Sequence, residues 1–289
     1  MGSSVVGFVD GAKPRQRTKV GCPNVAEFLI EWADHEEESI LRILVAGESW
    51  VSFTNHIKGF DQFAMATYES GAGPWIHILE TCARVDYLPN HNVGEQFPNT
   101  IDELSAYQAI ILSDVGANTL LLHPDTWNKG QRTPNRLKLI REYVQRGGGF
   151  AMVGGYLTFQ GYEGKGAYAG TPVEEVLPVQ LERWDDRLEA PEGLDVMIPE
   201  RTAPLLRGIP EDWPYLLGLN RLKAKPQAQI LATADAWPLL VTGTYGNGRS
   251  LAWASDIGPH WCPQTFVDWP GYRQLWINIA QWLMGAESA

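Results

Sequence analysis

The chain predicts an α/β fold: a doubly wound, mostly parallel sheet that acquires antiparallel strands late. Three observations predict it. Ile43-Leu44-Val45-Ala46, Ala109-Ile110-Ile111-Leu112 and Phe150-Ala151-Met152-Val153 are short unbroken apolar runs, each stopping at small or acidic residues. Runs of this length without polar alternation suit strands buried on both faces of a parallel sheet. Helical patterns fall between them, the alternation that doubly wound sheets require. The last third differs, with strand-like segments at 238–245 and 249–255 flanking Gly246-Asn247-Gly248. Asn-Gly is a strong hairpin signal, because the turn it favours needs positive φ at both central residues.

In chain order, residues 1–39 read as an N-terminal arm with one short helix. Phe28, Leu29 and Trp32 fall at helical spacing there, before the acidic run 34–38. Residues 40–289 read as one domain, with no internal repeat and no low-complexity linker. The first apolar run ends in Gly47-Glu48-Ser49. Pro74 opens a helix that turns Trp75, Ile78 and Leu79 inward, and a strand follows at 85–88. The second run ends in Ser113-Asp114. Thr133 can cap a helix with Pro134 in its first turn, Leu137, Ile140 and Val144 as its buried stripe and Gly147 as its stop. The third run ends in Gly154-Gly155. The closing helix presents Leu275, Trp276, Ile279 and Leu283 on one face and ends at Gly285.

Composition narrows the function classes. The chain has 289 residues, 44% of them hydrophobic, with 34 acidic against 23 basic side chains and a formal net charge of -11. An acidic field repels phosphate backbones, so nucleic acid is not an expected partner. No apolar stretch approaches the roughly 20 residues that span a bilayer, so no membrane is expected either. Cys22, Cys82 and Cys262 lie far apart with no CxxC spacing, which fits a reducing cytoplasm. The histidines show no HxH or HxxxH spacing, and neither a metal nor a cofactor is implied. Twelve tryptophans, with Trp and Pro dense at 213–214, 237–238 and 261–270, suggest a subunit interface and a homo-oligomer.

Three segments in this order resemble the class I glutamine amidotransferase-like superfamily, in its divergent branch related to trehalose-utilisation (ThuA-like) proteins. They are Ile43 to Glu48, Arg146-Gly147-Gly148-Gly149-Phe150 leading into Val153-Gly154-Gly155-Tyr156, and Tyr245-Gly246-Asn247-Gly248-Arg249 leading into Asp256 and His260-Trp261. The resemblance covers roughly residues 40–285 and implies a flavodoxin-like arrangement with a site at the C-terminal strand ends. In active members a cysteine stands on the turn after the central strand, and a later His with Glu two positions on completes a triad. Here Tyr156 occupies the nucleophile position, Thr158 stands where a second glycine is usual, and His260-Trp261-Cys262 puts Cys262 in place of the Glu. A phenol of pKa near 10 is a poor substitute for a thiolate, so glutaminase chemistry is not expected.

Tyr156 and His260 are the candidate catalytic residues. Tyr156 could act as a general acid or lid, or merely plug a vacated site. His260 could be oriented by Asp256, or simply cap a turn beside Pro259. Glu48, Asp114, Gly154, Gly155 and Asp256 are the candidate ligand-binding residues, because they close strands where such folds place ligands. The glycines would also bring backbone N–H groups forward as anion donors. Gly71-Ala72-Gly73 reads as a plain turn, and the segment 161–166 as a loop that could close over a substrate or only connect. The expected function is binding or transforming a small polar metabolite, carbohydrate-derived by analogy with the ThuA-like relatives. The alternative is a non-catalytic structural or regulatory subunit, and an active glutaminase ranks last.

Overall fold

The computed structural model describes residues 41–199 and 201–286, so the arm expected at 1–39 lies outside the described residues. β1 (Arg42–Gly47) is followed at once by a ribbon of two long strands, β2 (Ser49–Lys58) and β3 (Asp61–Ser70). Helix Gly73–Leu79 leads to β4 (Arg84–Leu88), and short helices Asn90–Gln96 and Ile101–Ser105 lead to β5 (Ala109–Ser113). Helix Arg136–Arg146 precedes β6 (Gly149–Val153). Then come β7 (Val179–Gln180), β8 (Arg187–Leu194), β9 (Val196–Met197), β10 (Leu216–Asn220), β11 (Lys223–Ala224), β12 (Gln229–Ala234), β13 (Trp237–Tyr245), β14 (Gly248–Trp253) and the closing helix Pro270–Met284.

Eight of these strands form one sheet in the order β4-β1-β5-β6-β14-β13-β12-β9. From β4 to β14 every pairing is parallel, and the pairs β14–β13, β13–β12 and β12–β9 are antiparallel. This is the expected mostly parallel α/β sheet with antiparallel strands added late. Every residue of β5 and β6 is buried, as are all but the first of β1. Helices therefore cover both faces, and the apolar runs have no polar side to show. Trp75 meets Trp276 edge-on at 5.0 Å, joining helices Gly73–Leu79 and Pro270–Met284 in one layer. Leu137, Ile140 and Val144 are buried as the stripe of Arg136–Arg146.

Some expectations shift. The helix expected from Thr133 begins at Arg136, capped by Asn135, whose side chain accepts from Lys138 N. Thr133 instead shares a hydroxyl hydrogen bond with Thr126. The late hairpin turns on Gly246-Asn247 rather than Asn247-Gly248, since Tyr245 pairs with Gly248. Gly246 alone takes positive φ, 58°. Gly248 serves packing, because a Cβ there would lie 2.2 Å from Val144 O. The tryptophans expected at a subunit surface mostly pack inward. Trp261 is fully buried, while Trp213, Trp237 and Trp269 are partly buried against the core.

Candidate functional site

β1 and β5 are neighbours whose register pairs Gly47 with Ser113, so Glu48 and Asp114 leave the sheet side by side. Both are non-glycine residues in the left-handed region, at φ 51° and 53°. Such backbone is uncommon outside glycine, and it persists where surrounding contacts enforce it. The approach of the two strand ends supplies that enforcement. Glu48 N donates to Ser113 O at 3.1 Å, and a Cβ on Gly47 would lie 1.7 Å from the same oxygen.

The two carboxyls sit in a desolvated setting. Desolvation first, then the charge of Asp114, pushes the Glu48 carboxyl up to about 8, although Ser113 Oγ donates to it and partly opposes the shift. Desolvation also pushes Asp114 up to about 6, against the N–H of Leu157, which donates to Asp114 Oδ1 at 2.7 Å. At neutral pH Glu48 is therefore largely protonated and can donate as well as accept.

The turn after β6 brings Tyr156 to the same crevice. A Cβ on Gly154 would lie 2.4 Å from Ala254 O, and one on Gly155, at φ 149°, would lie 2.8 Å from Asp114 Oδ1. Close approach to neighbours is thus the glycines' role. Neither N–H is free for an anion: Gly154 N donates to Trp253 O, and Gly155 N donates to Asn220 Oδ1. The buried Asn220 returns Nδ2 to Gly155 O and to Asp186 Oδ1, clamping the turn. The segment after it is equally tied. Asp186 accepts from Gln160 N and Gly161 N, and Tyr162 N donates to Tyr156 O.

His260 reaches the crevice from beyond β14. Its Nδ1 lies 3.0 Å from Asp256 Oδ2, and that bond holds the imidazole pKa above its ordinary value. The His260 and Tyr156 rings meet edge-on at 4.9 Å. The Tyr156 hydroxyl donates to Glu189 Oε1 at 2.9 Å, while Glu189 Oε2 accepts from Trp261 Nε1 and lies 3.9 Å from His260 Nε2. The Arg187 guanidinium stacks over Tyr156 and Tyr162 at 4.8 and 4.2 Å and is held by Asp185. Cys262 is fully buried and its thiol is pushed well above the usual range by desolvation.

Glu48, Asp114, Tyr156, Asp256 and His260 thus line one pocket of about 410 Å³, and Gly154 and Gly155 support it from behind. Trp50 and Gly71, from the base of the ribbon, complete its rim. Sequence reasoning missed Trp50, Glu189 and Arg187. The only signal for the last two was the alternation that puts Arg187 and Glu189 on one face of a strand. Among the described residues no group of three or more His, Cys, Asp or Glu side chains is placed to hold a metal ion. No helix among them is long and apolar enough to cross a membrane.

Residues 42–285 match the family model described as "Putative glutamine amidotransferase", and the chain belongs to this glutamine amidotransferase-like family. The chain is similar to two solved structures from Salmonella typhimurium. Cytoplasmic protein STM3548 is 42% identical, with a TM-score of 0.81 over 84% of this chain and 98% of that one. Cytoplasmic protein STM1381, from strain LT2, is 41% identical, with a TM-score of 0.80 over 84% and 99%. A ThuA-like protein from Parabacteroides merdae shares the fold at 14% identity, with a TM-score of 0.50 over 86% of this chain and 91% of that one. No curated protein matches the chain.

Proposed function

We propose that the chain binds a small, uncharged, polyhydroxylated metabolite in the pocket at the C-terminal strand ends, and that it does not hydrolyse glutamine. The observation that carries this reading is the pocket lining. Three carboxyl side chains, Glu48, Asp114 and Asp256, face the same space as the rings of Trp50 and Tyr156, with no Lys or Arg among the lining residues. A protonated Glu48 that donates, beside carboxyl oxygens that accept, suits hydroxyl groups, and aromatic walls suit C–H faces. An amino acid or sugar acid would bring a carboxylate to a site with no lysine or arginine to receive it.

The same array favours proton transfer over nucleophilic attack. Asp256 orients His260 as a base, and the protonated Glu48 carboxyl, at the end of β1, is an acid lining the same pocket. Attack by the family route is disfavoured because Tyr156 stands on the turn and both described cysteines lie away from the pocket lining. A second reading, a non-catalytic structural or regulatory subunit, is favoured by one contact. The N–H of Leu157, the residue after the nucleophile position, is spent on Asp114, and elbow-type nucleophiles use that N–H for the oxyanion. We place the protein in the cytoplasm as a homo-oligomer. The names of its Salmonella relatives support the compartment.

A thermal-shift screen of sugars, polyols, sugar acids and amino acids tests the reading, since a ligand of the native state raises Tm. Neutral polyols should stabilise and acids should not. Tyr156→Phe should weaken that shift about tenfold in ligand concentration while leaving the unliganded Tm nearly unchanged. Stabilisation by glutamine overturns the proposal. So does ammonia release from glutamine that disappears in Cys262→Ala or Cys82→Ala.

A further inference from the structure

The ribbon of β2 and β3 leaves the pocket rim and runs into solvent. Its register pairs Val51 with Tyr68, Phe53 with Ala66, Asn55 with Ala64 and Ile57 with Gln62, so these side chains share one face. That face carries no charge. The other face carries charge: Glu69, His56 and the Lys58–Asp61 pair at the tip stand among Trp50, Phe63 and Met65, with Ser52 bonded to Glu69. Phe53 is 81% exposed, Ile57 71%, and Phe60 at the tip fully exposed. A two-stranded ribbon is marginal in water unless something covers it, and an uncharged apolar face is where a cover belongs.

We infer that the cover is a second copy of this chain, docked ribbon to ribbon around a twofold axis. This rests on the homo-oligomer reading and not on the pocket ligand. Three features favour a copy over another partner. The face is self-complementary: bulky Phe53 stands beside a slot left by Ala64 and Ala66, so each ribbon offers the knob and the hole the other needs. The area suffices. Val51, Phe53, Ile57 and Tyr68 on this face and Phe60 at the tip expose on the order of 700 Å² per chain, counting about 150–250 Å² for a whole aromatic residue, and Asn55, Gln62 and the two alanines bring the face to the roughly 800 Å² per partner of a standard interface. The face is also neutral in a chain of formal net charge -11, where most other surfaces of two copies repel.

Ten-residue strands span roughly 33 Å, so in an antiparallel docking the tip of each ribbon reaches the base of the other. A hollow of about 320 Å³ waits there, lined by Val51, Asn90, His91, Thr119 and Leu157. Phe60 of the partner subunit fills it, against Trp50, which lines both this hollow and the ligand pocket.

Light scattering and sedimentation of the full chain between 1 and 50 µM test the interface. The wild type should be a dimer. Phe53→Lys should raise its dissociation constant at least about 100-fold, and Phe60→Ser about tenfold. Thr54→Lys, which adds the same charge to the opposite face, should remain dimeric. Because Phe53 touches solvent rather than core, its variant should keep the wild-type circular dichroism; Ile57→Lys replaces it should Phe53→Lys not fold. A dimer that survives both Phe53→Lys and Ile57→Lys overturns the ribbon interface and leaves the oligomer standing. A monomeric wild type overturns both. A monomer that binds phosphatidylcholine vesicles through the same face assigns it to lipid and overturns the inference.

Discussion

Two regions diverge from the end of β1 and obey opposite rules. On one side, Glu48, Asp114 and the Tyr156 turn are held by contacts so close that glycine is required at 47, 154 and 155. On the other, the ribbon begins at Ser49, and all but three of its strand residues are exposed. Both continue directly from β1. What separates them is the second face: the strand ends meet other strand ends, whereas the ribbon meets water. Strain is sustained only where packing over-determines the backbone, so the site can hold left-handed carboxyl residues while the ribbon takes positive φ only at glycine, Gly59.

Substitution should separate the regions sharply. Gly47→Ala places a Cβ 1.7 Å from Ser113 O and forces β1 and β5 apart. A loss of about 3 kcal/mol or more is expected from the urea midpoint. Asn220→Ala strips the Gly155 N–H and Asp186 of a buried partner, and should cost about 2–3 kcal/mol. If either change is silent, the site is not the over-determined region described above.

The pH dependence sharpens the contrast. Folded Glu48 keeps its proton to about pH 8, whereas the ordinary glutamate value is 4.5, so its raised pKa means folding takes up a proton between them. Its contribution to stability is full below about pH 4.5 and is lost as pH rises toward 8; Asp114 adds the same sign from 3.8 to about 6. Glu48→Gln should therefore flatten the decline in stability from pH 5 to pH 8, by on the order of 3 kcal/mol in paired urea melts. Parallel curves for the two proteins would contradict a desolvated, protonated carboxyl. At the ribbon tip, Gly59→Ala meets no atom within 4 Å and carries only the strain of φ 67°. It should cost no more than about 1–2 kcal/mol.

What the sequence showed follows the same division. β1, β5 and β6 were legible because burial on both faces leaves uninterrupted apolar runs. Glu48 and Asp114 were legible as the polar residues that stop those runs. The ribbon was not read, because Trp50, Val51, Phe53, Phe63, Met65 and Tyr68 fall on both of its faces and leave neither a strand nor a helix period. Glu189 was not read either. It lies 33 residues beyond Tyr156 in a stretch of short strands, and only folding shows that both the Tyr156 hydroxyl and the Trp261 indole converge on it. The hairpin turn was placed one residue late because Asn247-Gly248 matches a local turn pattern, while Gly248 answers to the helix carbonyl of Val144.

The bond from Leu157 N to Asp114 bears on the lineage as well as the chemistry. On the proposed reading, regaining a thiol at position 156 would be futile by itself, since the oxyanion donor beside it would remain occupied by Asp114. Releasing that donor first would remove one bond from the turn, which Asn220 still clamps, and still supply no nucleophile. On that reading each single step is unrewarded, and with Cys262 where active members carry Glu, amide hydrolysis would need several changes together. Tyr156→Cys should thus yield a folded protein without glutaminase activity, and the pairing of these two positions acts as a ratchet.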